Sequence, residues 1–171
     1  MRVVNLCFAA FVLIAVTSCA TVPYSPPALP KTMTWNNVSK RDLYAATLRA
    51  VHTSMERIDP SGTNEDGNLI RTYGSTWTWN DSMSVQTQIT YSFSFLVSES
   101  SPDNIDLIVN YHTTWWNNGW GDWSSTISQH MHSKVVPAIN AIVASLESQV
   151  GQPAEQTQTY LQLGGKYAQA Q

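Results

Sequence analysis

From residue 83 to residue 97 apolar and polar side chains alternate along the chain. Met83, Val85, Ile89, Tyr91, Phe93, Phe95 and Val97 hold the odd positions; Ser84, Gln86, Gln88, Thr90, Ser92 and Ser94 hold the even ones. Successive side chains of a strand point to opposite faces, so the pattern predicts a strand with one buried and one wet face. Glu99 to Asn104, containing Pro102, reads as a hairpin connection, and Ile105 to about Trp115 as the next strand. Ile105, Leu107, Val109 and Tyr111 form its apolar side, with Asp106, Asn110 and His112 on the other. Upstream, Asn68 to Trp79 reads as a strand bent or bulged at Gly74, and Asn80-Asp81-Ser82 as the turn that follows.

On either side of these strands the period changes. Ser39-Lys40-Arg41-Asp42 has the form of a capped helix start, and Tyr44, Leu48, Val51, Met55 and Ile58 recur at steps of four and three until Asp59-Pro60-Ser61-Gly62. A second helix is expected over Ser124 to Val150, with Ile127, Met131, Val135, Ala138, Ile142 and Leu146 as its stripe. Pro137 inside it removes a hydrogen bond and crowds the preceding turn, which predicts a kink or two helices end to end. Gly151 and Pro153 close it. The expected order is α-β-β-β-α: an α+β two-layer sandwich in which a three-stranded antiparallel meander packs on two helices.

The first 18 residues differ in kind. After Arg2 the chain is almost wholly apolar from Val3 to Val16. That is shorter than the roughly 20 residues of a membrane-spanning helix, and it has the form of a signal-peptide core. Val16-Thr17-Ser18-Cys19 resembles the bacterial lipobox: an aliphatic residue, two small residues, then the cysteine, with Val in place of the commoner Leu. The resemblance implies a diacylglycerol on the Cys19 thiol, cleavage before Cys19 and usually acylation of the new amine, giving the several acyl chains that stable anchoring requires. Ala20, not Asp, follows Cys19, which by the same resemblance implies sorting to the outer membrane, with the domain facing the periplasm. Pro23, Pro26, Pro27 and Pro30 make the next stretch a semi-rigid spacer. The expected organisation is a signal peptide at 1–18, a lipidated and proline-rich tether at 19–37, the α+β domain at 38–150, and a flexible or short-helical tail rich in Gln, Ala and Gly at 151–171.

Composition fits export. Of the 171 residues 12% are charged and 43% hydrophobic. The charged share is about half the usual one; Ser, Thr, Asn and Gln supply the polarity. The net charge is −3, and no Lys/Arg cluster exists to neutralise phosphates or anionic lipid, which argues against nucleic acid as a partner. Cys7 and Cys19 are the only two cysteines, so the cleaved chain would have no internal disulfide. A helix ending at Asp59, followed by Gly67-Asn68-Leu69-Ile70-Arg71-Thr72 opening a strand, resembles the BamC-like helix-grip domains of outer-membrane lipoproteins, in element order only, over Val38 to Val150. That resemblance implies an accessory binding module without catalysis.

The residues themselves offer little for an enzyme. His130 and His132, with His112 as a third, could be proposed as metal ligands, but positions two apart on a helix point to different faces. The plainer reading is exposed helix histidines, with no metal and no cofactor. Asp59, Glu65, Asp66, Asp81, Asp103, Asp106 and Asp122 are scattered, and several sit in turn contexts. There is no Gly-x-Ser-x-Gly elbow and no phosphate-binding glycine loop.

Six of the seven tryptophans fall in two groups, Trp77 and Trp79, then Trp115, Trp116, Trp120 and Trp123. Trp77, Trp79 and Trp115 fit packing at a sheet edge. Trp116, Trp120 and Trp123 are the candidate ligand- or partner-binding residues. The expected function is a lipid-anchored module that binds an envelope protein partner in assembly or maintenance; the alternative is peptidoglycan or polysaccharide binding through the Trp-rich segment.

Overall fold

The computed structural model describes residues 29–54, 56–80, 86–117, 124–160 and 168–169. Its elements run β1 (Leu29–Asn36), α1 (Lys40–Thr53), β2 (Leu69–Arg71), β3 (Ser75–Asn80), β4 (Gln86–Ser101), β5 (Asn104–Asn117), α2 (Ser124–Val150), β6 (Gln156–Tyr160) and β7 (Ala168–Gln169). The expected three-stranded meander in the order α-β-β-β-α is therefore wrong. One seven-stranded sheet runs in the order β2-β4-β5-β1-β6, with β3 also on β4 and β7 on β5. All pairings are antiparallel except that of the two-residue β7.

Two strands outside the meander account for the correction. Leu29–Asn36 lies in the stretch read as tether, yet Leu29, Met33 and Trp35 are fully buried on one face. Pro30 conceals this strand in the sequence, because proline cannot donate to a ladder. Here it falls beside a bulge, where the register on β6 shifts between Pro30 and Thr32. The Trp35 indole donates to the Gln152 carbonyl at 3.3 Å. β6 has no apolar alternation, and Gln156 to Thr159 are exposed. It exists because β1 offers it a ladder.

The β4–β5 hairpin is the spine of the sheet, registered from Thr87↔Asn117 to Ser101↔Asn104. Its inward positions, Ile89, Phe93, Phe95 and Val97 on β4 and Ile105, Leu107 and Val109 on β5, are buried. Phe93 packs edge-on against Tyr111 at 5.8 Å. The strand expected over residues 68–79 is divided into β2 and β3, both on the same flank of β4. Gly74 sits in the step between them, where a Cβ would lie 2.7 Å from Thr90 Cγ2.

Both helices cover the inner face. Ser39 caps α1, its hydroxyl oxygen accepting from the Asp42 amide at 3.0 Å. The buried stripe is Leu43, Ala46, Thr47, Ala50 and Val51, with Tyr44 beside it. It is thus rotated from the expected one. Leu48 stays half-buried, and Ile58 lies beyond the helix in a bridge to Thr72. α2 runs unbroken through Pro137, so two helices end to end are not what forms. Pro137 is on the exposed side, while Val135, Ile139, Ile142 and Leu146 are buried. Gly151, at φ 81°, ends α2 with its amide on the Glu147 carbonyl at 2.9 Å.

Candidate functional site

With both helices on one face, no described element covers the other. Directly paired residues share a face, so the register reads off what this open face presents. Thr78 pairs with Gln88, and Gln88 with Trp116. The next row is Thr76, Thr90 and Thr114, and the next Ser92 and His112. Arg71, Ser94 and Asn110 follow. From the Trp116 row to the Ser92 row the outward side chains of β3, β4 and β5 carry no Asp, Glu, Lys or Arg.

The side chains in these rows interact. The Thr76 and Thr90 hydroxyls are 3.0 Å apart, and Ser94 Oγ lies 3.2 Å from His112 Nε2. Trp116 is 52% exposed, standing among hydroxyls and amides. Its position follows from strand parity. Even residues of β5 face outward, so the tryptophan that continues the polar side is left in solvent. A half-buried apolar row of Leu69, Leu96 and Ile108 crosses the same face further along, beside Thr32. Beyond it Thr34 donates to Asp106 at 2.7 Å.

The two tryptophan groups meet at one end of the sheet. Trp77 pairs with Ile89, and Ile89 with Trp115. Trp77 and Trp79 stack at 6.2 Å with planes 9° apart, both half-buried, and the Lys134 ammonium of α2 lies 4.8 Å from the Trp77 ring. These two tryptophans pack under α2 at the sheet edge; Trp116 faces the other way. Trp120, Trp123 and Cys19 lie outside the described residues.

The histidines are not brought together. His112 is exposed on the open face, and His132 is 4% exposed on α2, across the sheet. His132 is thus a core residue and not the exposed helix histidine expected. Nothing is described of the His130 side chain. Among the described residues no group of three or more His, Cys, Asp or Glu could hold a metal ion.

The carboxylates have local work. Asp59 accepts from the Ser61 amide at 3.0 Å and hydroxyl at 2.7 Å, and the Ser61 hydroxyl is the main cause that holds its pKa below the usual value. Glu56 accepts from Ser75 at 3.0 Å and from the Tyr91 phenol at 3.3 Å. Burial, and then the Glu56 charge, push the Tyr91 phenol up. The cluster ties the segment after α1 to the sheet. No helix among the described residues is long and apolar enough to cross a membrane.

A second feature went unnoticed in the sequence: an open groove of 530 Å³ between α1 and residues 58–65. Its sequence signal is the Tyr44–Leu48–Ile58 series, which periodicity alone assigns to one stripe of one helix.

No family model matches the chain, and no curated protein does. Among solved structures, the adenylate sensor of AMP-activated protein kinase, in complex with an aminoimidazole carboxamide ribofuranotide, is 14% identical with a TM-score of 0.37. That match covers 67% of this chain and 94% of the other. A protein of Thermus thermophilus is 9% identical with a TM-score of 0.34, covering 72% and 97%. Neither likeness is close enough to carry an argument about fold or function.

Proposed function

We propose that this chain is a non-catalytic, lipid-anchored module of the bacterial cell envelope that binds neutral glycan on the open face of its sheet. The observation that carries the reading is Trp116, 52% exposed and set in register with Gln88 and Thr78. A sugar ring has an apolar C–H face, which an indole covers, and an equatorial rim of hydroxyls, which hydroxyl and amide side chains exchange for water. The lack of charge in the surrounding rows favours an uncharged ligand. Anchoring rests on Val16-Thr17-Ser18-Cys19, and an outer-membrane, periplasm-facing location rests on the same resemblance together with Ala20.

The test is calorimetric titration of the protein with soluble cell-wall glycan fragments and with neutral polysaccharides. Trp116→Ala should weaken binding at least about tenfold, the loss of roughly 1.4 kcal/mol, and leave the melting temperature nearly unchanged because the side chain is exposed. Absence of binding across the glycans would end this reading. The half-buried row Leu69, Leu96 and Ile108 favours a second one, an envelope protein partner. A photo-crosslinking residue at Thr114, giving one discrete protein adduct in living cells, would select it.

A further inference from the structure

The groove beside α1 is chemically unlike the open sheet face. Its floor is apolar, formed by Tyr44, Leu48 and Ile58. Its volume of 530 Å³ falls in the range of small-molecule sites, about 300–1,000 Å³. One wall is helical and carries Arg41; the other is the 58–65 segment and carries Thr63 and Glu65.

The second wall is irregular but tightly held. Ile58 bridges to Thr72, and Asn64 pairs with Leu69 through both backbone bonds, 2.8 and 2.9 Å. Asp59 donates its amide to the Arg71 carbonyl at 2.8 Å, and the Arg71 amide donates to Thr63 Oγ1 at 3.1 Å. A wall fixed at this many points does not have to be ordered when a ligand arrives. The Thr63 hydroxyl accepts in this arrangement, so its own proton remains available to a ligand.

The charges define the ligand. Arg41 and Glu65 are both exposed, and neither makes an ion pair among the described residues. The Glu65 carboxylate is near enough to the Tyr44 phenol that its charge, after burial, helps to raise that group. A simple cation in the groove would meet Arg41, and a simple anion would meet Glu65. A wholly apolar molecule would leave both charges and the Thr63 hydroxyl without a partner from the ligand. A molecule with both signs and an aliphatic part satisfies all three features.

We propose that this groove binds a small free α-amino acid in its zwitterionic form. The carboxylate lies toward Arg41 and the Thr63 hydroxyl, the ammonium toward Glu65, and the aliphatic side chain on Leu48 and Ile58.

The test is a methyl NMR titration of the intact protein, reading Leu48 and Ile58, with leucine, leucinamide and N-acetylleucine. Leucine should shift both methyl sets saturably. Leucinamide lacks the carboxylate and N-acetylleucine the ammonium, and each should bind at least about tenfold more weakly. Arg41→Gln should erase the preference over leucinamide alone, and Glu65→Gln the preference over N-acetylleucine alone. No saturable shift with leucine, or equal binding of the three compounds to the unsubstituted protein, would overturn the proposal. So would preferences that survive both substitutions.

Discussion

Tyr91 ties β4 to the segment after α1, because its ring packs on Phe93 of the same strand at 5.5 Å while its hydroxyl reaches Glu56 at 3.3 Å. Burial, with the Glu56 charge behind it, raises the phenol above its ordinary 10.0. The folded chain then keeps a proton that the unfolded chain releases at that pH. The stability linked to Tyr91 is complete below pH 10.0 and is lost as the pH rises from there through the folded pKa. Urea unfolding measured from about pH 9 to about pH 11 should show this fall. Glu56→Gln should move the Tyr91 transition down in a spectrophotometric titration without restoring the ordinary value, since burial is the larger cause. An unmoved transition would mean that the carboxylate does not face the phenol in solution. At this scale the sequence said little. Nothing in the order of residues couples Glu56 to Ser75 and Tyr91; Trp116 is already set apart from Trp77 and Trp79 in the sequence, and the register adds that it stands in line with Gln88 and Thr78.

Among elements, α1 shows how far a local signal reaches. Ser39 and Asp42 are legible as a cap, and the structure contains their bonds: the Asp42 amide to Ser39 Oγ at 3.0 Å and the Ser39 hydroxyl to Asp42 Oδ2 at 2.6 Å. Ser39→Ala should cost about 1 kcal/mol of stability in chemical denaturation, and a loss within error of zero would show that the cap contributes nothing. The facing of the helix was not legible. Steps of three and four fit the Tyr44–Leu48 side as well as the Leu43–Ala50 side, and packing chose the latter. Ala46 and Ala50 are buried, Ala46 beside Gln149 and Val150 of α2, while Tyr44 and Leu48 turn toward the 58–65 segment and line the groove. Sequence reading found β4, β5 and α2 because each carries its own period over many residues. It missed β1 because Pro30 resembles spacer, and β6 because an exposed edge strand needs no apolar side.

For the whole molecule the decisive pairing is β1 between β5 and β6. A chain beginning at residue 38, where the sequence alone would start the domain, loses Leu29, Met33 and Trp35, each at 1% exposure or less. Such side chains are worth roughly 1.5–3 kcal/mol each. The ladder bonds on both flanks go with them, against a total stability on the order of 5–15 kcal/mol. The shortened chain should therefore show no cooperative unfolding transition, while the chain from residue 28 onward should; cooperative melting of the shorter form would place β1 outside the folded unit. What the sequence by itself determined is whatever neighbours along the chain decide: the period-two strands β4 and β5, the helical span of α2, the cap of α1 and the Gly74 step. Tertiary structure alone decided which strands stand beside the hairpin and which face stays open. Ladder hydrogen bonds join backbone groups whatever the side chains, so a proline-bearing segment and a Gln/Thr segment far apart in the sequence can complete a sheet that neither announces.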